Sequence, residues 1–101
     1  MKSLGERLRQ LREKKGLLLR QVAAAIEVDT AMISKFEKGE RKPTREQLSN
    51  LAKALDVDER ELLLSYLSEK VANELKDEEL AKEALKIAGK KIDHLNKNKK
   101  G

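Results

Sequence analysis

The sequence contains no cysteine and no tryptophan, and only one phenylalanine, one tyrosine, one proline and one histidine. Without cysteine there is neither a disulfide framework nor a thiolate metal site, which fits a reducing compartment. With Phe36 and Tyr66 as the only aromatic residues, the core has to be aliphatic. His94, with no second histidine and no cysteine to join it, makes no metal site and is expected at a solvated surface. No apolar run approaches the roughly 18 residues needed to span a bilayer. The beginning, MKSLGERLRQ, carries charge where a signal peptide needs an apolar stretch, so a cytoplasmic location away from membranes is expected. A Gly-rich phosphate loop is also missing, and no nucleophile has a histidine near it. The chain is therefore not expected to be an enzyme or to need a cofactor.

What is abundant is charge, at 41% of 101 residues, together with Leu, Ala, Ile, Val, Glu and Lys, a composition of helices. The length bounds the chain to one domain with an appendage. The net charge of +5 is unevenly placed. Residues 1–56 hold 13 Lys and Arg against 8 Asp and Glu, residues 57–96 hold 7 against 10, and the last five residues add three lysines. A positive first half favours a polyanionic partner for that half.

The periodicity predicts a succession of short helices and an all-α fold. Ser3 can cap a first helix with Leu4, Leu8 and Leu11 on one face and Gly16 at its end. Leu18, Val22 and Ile26 mark a second helix, broken by Glu27-Val28-Asp29. Asp29 or Thr30 can cap a third, which runs through Met32, Ile33, Phe36 and Glu37 to Gly39. Thr44 with Gln47 forms a capping box for a fourth helix, whose buried stripe is Leu48, Leu51, Ala52 and Leu55. Asp58 with Glu61 repeats that signature for a fifth. The second and third helices are separated by about three residues, the length of turn that a DNA-binding helix-turn-helix uses.

Across residues 4–64 the sequence resembles the phage repressor and Cro-like (XRE-type) helix-turn-helix family. The matching positions are Leu8, Leu11-Arg12, Gly16-Leu17, Val22-Ala23, Ile26, Val28, the run Ile33-Ser34-Lys35-Phe36-Glu37-Lys38-Gly39, Pro43, Leu48, Leu51-Ala52, Leu55-Asp56-Val57 and Glu61-Leu62-Leu63. The resemblance implies a five-helix domain over 1–64 that binds double-stranded DNA through its third helix, about residues 30–38. It implies base contacts from Thr30, Ala31, Met32, Ser34 and Lys35, with a phosphate contact or solvent exposure open for Lys35 and a packing role open for Met32. Phosphate contacts are implied for Lys38, Arg41, Lys42, Thr44 and Arg45 around the loop before the fourth helix. Arg12 and Glu37 match a pair that bridges the first and third helices and has a structural role.

The stretch GLLLRQVAAAI departs from the family. Leu18 and Leu19 stand where a polar cap and a DNA-contacting Gln are usual, so one cap and one contact are lost. Either the two leucines thicken the core, with Arg20 and Gln21 taking over contacts to the backbone, or they form an exposed patch for a protein partner.

Beyond Leu64 the resemblance fades. Leu63, Tyr66, Leu67, Val71 and Leu75 extend the fifth helix to about Lys76, and Asp77 can cap a further helix carrying Leu80, Ala84, Ile87, Ala88, Ile92 and Leu95. This extension, 65–96, is expected to form a homodimer, the alternative being a hairpin folded back in cis. The basic end, 97–101, is expected to be disordered. Two functions remain: a dimeric, sequence-specific transcriptional regulator acting on inverted-repeat operators, and a protein-interaction adaptor or antitoxin on the same fold.

Overall fold

A computed structural model describes residues 2–99 of the chain. Six helices and no strand are present among them: α1 (Leu4–Lys14), α2 (Leu19–Ala25), α3 (Thr30–Lys38), α4 (Arg45–Ala54), α5 (Glu59–Leu75) and α6 (Ala81–Lys99). The chain divides into two compact units, one reaching Lys70 and one starting at Val71. The border falls inside α5, the second unit starting six residues beyond the 65 at which the sequence reading starts the extension.

The first unit is built around thirteen buried aliphatic and aromatic side chains. Leu4, Leu8 and Leu11 from α1, Val22 and Ala23 from α2, Ile33 and Phe36 from α3, Leu48, Leu51 and Ala52 from α4, and Leu62 from α5 converge, with Ile26 and Leu55 from the helix ends. These positions recur at three- and four-residue spacing along each helix, which places them on one face. Phe36 is the one aromatic residue at the centre, and Tyr66 lies at the edge.

Helix starts follow the sequence signals closely. The Ser3 and Thr44 hydroxyls accept from the amides of Glu6 and Gln47 at 3.1 Å each, and the Asp29 carboxylate accepts from Met32 N–H at 2.8 Å. The Ser3 hydroxyl and amide, both donating to the Glu6 carboxylate, hold that carboxyl below its ordinary range. Helix ends follow one plan. After α1, α2, α3 and α4 a left-handed residue, Gly16, Glu27, Gly39 or Asp56, reverses the chain. The next amide, of Leu17, Val28, Glu40 or Val57, then donates to a carbonyl five residues back. Leu17, Val28 and Val57 in turn rest on the core. Glu27 and Asp56 hold φ of 58° and 54° where glycine is the usual residue.

Three features of the C-terminal half differ from expectation. Asp58 does cap α5, accepting from Arg60 N–H at 2.9 Å, but Glu61 closes no capping box because its carboxylate pairs with Arg7 of α1 at 2.9 Å. Two more acids of α5 clamp it in the same way: Glu59 accepts from the Ser49 hydroxyl at 2.7 Å, and Glu69 accepts from Leu4 N–H at the start of α1. Asp77 does not open α6, which begins at Ala81 after a turn in which Glu78 N–H donates to the Leu75 carbonyl. The basic end is not disordered from residue 97, since α6 continues through Lys99; residues 100 and 101 lie outside the described residues.

Helix α1 approaches α3 closely at Gly5. A Cβ there would lie 2.5 Å from the carbonyl oxygens of Phe36 and Glu37 at the end of α3, so the two helices meet backbone to backbone. We expect Gly5→Ala to destabilise the fold by about 1–3 kcal/mol, because those carbonyls cannot yield without moving α3. Urea denaturation checks this, and an unchanged midpoint would contradict the close approach.

Candidate nucleic-acid interface

The orientation of α3 is set from behind. Arg12 Nε donates to Glu37 Oε2 at 2.7 Å and Nη2 to Oε1 at 3.1 Å, a two-pronged pair in which the side chains are only 14% and 8% exposed. The third prong, Nη1, donates to the Leu17 carbonyl at 2.9 Å, and Leu17 N–H donates back to the Arg12 carbonyl at 3.0 Å. One guanidinium thus ties α1 to the end of α3 and to the turn leading into α2. Hydrogen bonding to Glu37 raises the Arg12 pKa further above an already high value, keeping the group charged. No buried side-chain polar atom is left without a partner among the described residues.

With Ile33 and Phe36 turned into the core, the opposite face of α3 is open. Thr30, Ala31, Lys35 and Lys38 are exposed and Ser34 is half-buried, and their spacing puts all five on one side of the helix. Met32 is different: it is half-buried and packs against the core, which favours the packing role over base contact. Beyond Gly39 the loop is pinned by Pro43, which is buried, while Arg41 and Lys42 before it and Arg45 after it are exposed. Thr44 is exposed, but its hydroxyl oxygen already accepts from Gln47 N–H, leaving its proton to donate.

Helix α2 carries the answer to the leucine run. Leu19 packs against the core, whereas Leu18 stands just outside the helix as its cap residue, 51% exposed and without a side-chain oxygen to offer. The Gln21 amide oxygen compensates in part, accepting from Leu18 N–H at 2.7 Å. That engagement leaves the Gln21 amide nitrogen to reach outward. Arg20 beside it is exposed. Among the described residues none of Arg20, Lys35, Lys38, Arg41, Lys42 or Arg45 is held in an ion pair, whereas Arg7, Arg9 and Arg12 are. These six cations come from α2, α3, the α3–α4 loop and the start of α4.

In the extension, Leu63 and Tyr66 are half-buried and pack against the core of their own domain. Leu67, Val71, Leu80, Ala84, Ile87, Ala88 and Ile92 are exposed, and Leu75 is half-buried. Leu85, which lies off the stripe counted from Leu80, is exposed as well. A count restarted at Ala81, the first helical residue, would have found it.

Comparison with known proteins places this geometry. The profile of the helix-turn-helix domain family matches residues 3–64. The chain belongs to that family, in its repressor and Cro-like (XRE-type) branch. Over 60 residues it is 37% identical to the HTH-type transcriptional regulator DdrOP3 of Deinococcus deserti, a match covering 59% of this chain and 46% of that protein. The match thus spans about half the length of that relative. Among solved structures it is similar to the restriction-modification controller protein C.AhdI from Aeromonas hydrophila, at 37% identity and TM-score 0.56 over 58% of this chain and 89% of that one. It is also similar to the P22 c2 repressor protein in complex with synthetic operator 9T, at 31% identity and TM-score 0.59 over 61% and 94%.

Because the Arg12–Glu37 pair is largely shielded from solvent, breaking it from either side leaves a part-buried charge without its partner. Glu37→Ala and Arg12→Ala are each expected to cost about 1–3 kcal/mol, with the double variant well short of their sum. Arg12→Lys should fall in the same direction, since a single ammonium cannot reproduce the three-pronged donation. Chemical denaturation of the four proteins measures the coupling; simple additivity would contradict a direct pair.

Proposed function

We propose that the chain is a sequence-specific, DNA-binding transcriptional regulator that acts as a homodimer on inverted-repeat operators, with α3 lying in the major groove. The family is one of regulators rather than enzymes, and the relatives named above include a transcriptional regulator, a controller protein and a repressor bound to an operator. The observation that carries the reading is the outward face of α3. Thr30, Ala31, Ser34 and Lys35 are presented together on a helix whose other side is locked to the core.

The chemistry of these side chains suits base edges. Lys35 donates to guanine O6 and N7, Thr30 and Ser34 both donate and accept, and Ala31 offers a methyl surface to thymine. Arg20, Gln21, Lys38, Arg41, Lys42, Thr44 and Arg45 surround that face and supply phosphate contacts that set its register without reading sequence. One recognition helix covers few base pairs, so a pair of copies on half-sites one helical turn apart, roughly 34 Å, is the arrangement that gives adequate specificity. The second reading, a protein-interaction adaptor, draws on the exposed Leu18. It leaves the unpaired cations around α3 without a use.

Two substitutions separate base reading from phosphate binding. Lys35→Ala is expected to relax preference at one base position by about 1–3 kcal/mol, while Arg41→Ala weakens binding to every sequence alike and lowers the salt slope by about 1. Binding measured on an operator and its single-base variants at several salt concentrations distinguishes them. Equal behaviour of the two variants would remove Lys35 from the reading set.

A further inference from the structure

Helix α6 has two sides of different chemistry. Ala81, Leu85, Ala88, Ile92 and Leu95 follow the alternating four- and three-residue spacing of a coiled-coil seam, and at about 100° per residue they fall within about 80° of one another. Lys82, Lys86, Lys90 and Lys97 fall within a second arc of about 80°, centred about 140° away from that seam. All four lysines are exposed, and none is in an ion pair among the described residues. Whatever covers the apolar seam, a neighbouring helix of this chain or of another, leaves the lysine row facing solvent.

Charge and composition decide what the row fits. Glu83 and Asp93 lie on the same side, so four cations stand against two acids there. From Lys82 to Lys97 the helix rises about 22 Å, a length over which double-stranded DNA presents about 13 phosphate charges. Lysines are flexible point charges suited to such a ladder, whereas they are depleted from the interfaces of protein partners. No apolar or aromatic side chain stands between the four on that side of the helix to anchor a protein. A bilayer fits less well, because lipid taking the seam would hold the row away from the headgroups. DNA held by α3 is a polyanion already brought to this chain, so the row meets it at high local concentration.

We propose that the lysine row of α6 is a second DNA-binding surface, which contacts phosphates of double-stranded DNA without reading sequence while α3 reads the bases. Lys82, Lys86, Lys90 and Lys97 donate to phosphate oxygens, and Glu83 and Asp93 weaken that attraction. This rests on the DNA-binding reading above and adds to it contacts from outside residues 3–64, the part of the chain that matches the family. Such contacts strengthen binding to every sequence alike, which holds the domain on DNA while it searches for an operator.

Neutralising the row and its acids in the full chain tests this. One variant carries Lys82→Gln, Lys86→Gln, Lys90→Gln and Lys97→Gln; a second carries Glu83→Gln and Asp93→Asn; a third carries Lys35→Ala and Arg41→Ala on the α3 side. All these positions are exposed, and circular dichroism checks that each variant keeps its helices. Binding to a mixed-sequence duplex of about 40 base pairs is measured between about 50 and 200 mM salt. The four-lysine variant is expected to bind roughly tenfold or more weakly at low salt, with a salt slope lower by about 2–4. The acid variant is expected to bind more tightly than the wild type, an effect that damage to the fold would not produce. Affinity and slope unchanged in the four-lysine variant would overturn the proposal and leave the α3 reading standing; loss of retention on phosphatidylserine vesicles by that variant would then assign the row to a membrane. Wild-type binding by the α3 variant, together with loss in the four-lysine variant, would instead overturn the α3 reading and keep the row as a DNA contact.

Discussion

The part-buried two-pronged pair between Arg12 and Glu37 is the interaction on which the rest of the domain depends. It joins the last turn of α1 to the end of α3, and the third donor of the same guanidinium holds the turn into α2 through the Leu17 carbonyl. Seven residues earlier in the same helix, Gly5 lets the α1 backbone touch the carbonyls of Phe36 and Glu37. Two turns of α1 therefore bear on the same end of α3, one by electrostatics and one by absence of a side chain. A pair this deep gains little net energy over an apolar substitute, but it has one satisfactory geometry, and geometry is what a reading helix needs.

With its inner face fixed, α3 has only one face left to present. The same division runs through the charges. Arg7, Arg9 and Arg12 are spent on ion pairs within the domain, whereas Arg20, Lys35, Lys38, Arg41, Lys42 and Arg45 are not. Acids show the same economy: Glu59, Glu61 and Glu69 clamp α5 onto α4 and α1, and those beyond residue 70 enter no ion pair among the described residues. A net charge of +5 thus contains a grouping in which unpaired cations surround α3 while several acids are used to hold α5. In the proposed function these cations meet phosphates, and the lysine row of α6 adds to them.

Much of this was legible in the sequence, and the limits have physical causes. Helix starts were readable because Ser3, Asp29 and Thr44 announce themselves by chemistry, and Gly16 and Gly39 marked two of the four left-handed stops. Glu27 and Asp56 gave no such sign, since only the packing of Val28 and Val57 behind them forces the left-handed turn. Glu61 looked like a capping residue until a partner 54 positions away, Arg7, claimed its carboxylate. Gly5 was invisible for the same reason: its significance lies in the carbonyls of another helix. The leucine run divides between its two expected fates, Leu19 entering the core and Leu18 remaining outside. In the extension the heptad spacing through Leu85 is hidden by counting from Leu80, one residue before the stripe's phase at Ala81.

The central claim is that the locked α3 presents a face that reads DNA sequence. The measurement that tests it most directly is selection of binding sites from a randomised duplex library at moderate salt. The expected result is enrichment of an inverted repeat with half-sites about one helical turn apart. Retention of the library without enrichment, or no retention, would contradict sequence reading by α3 and leave the domain a scaffold for protein contacts.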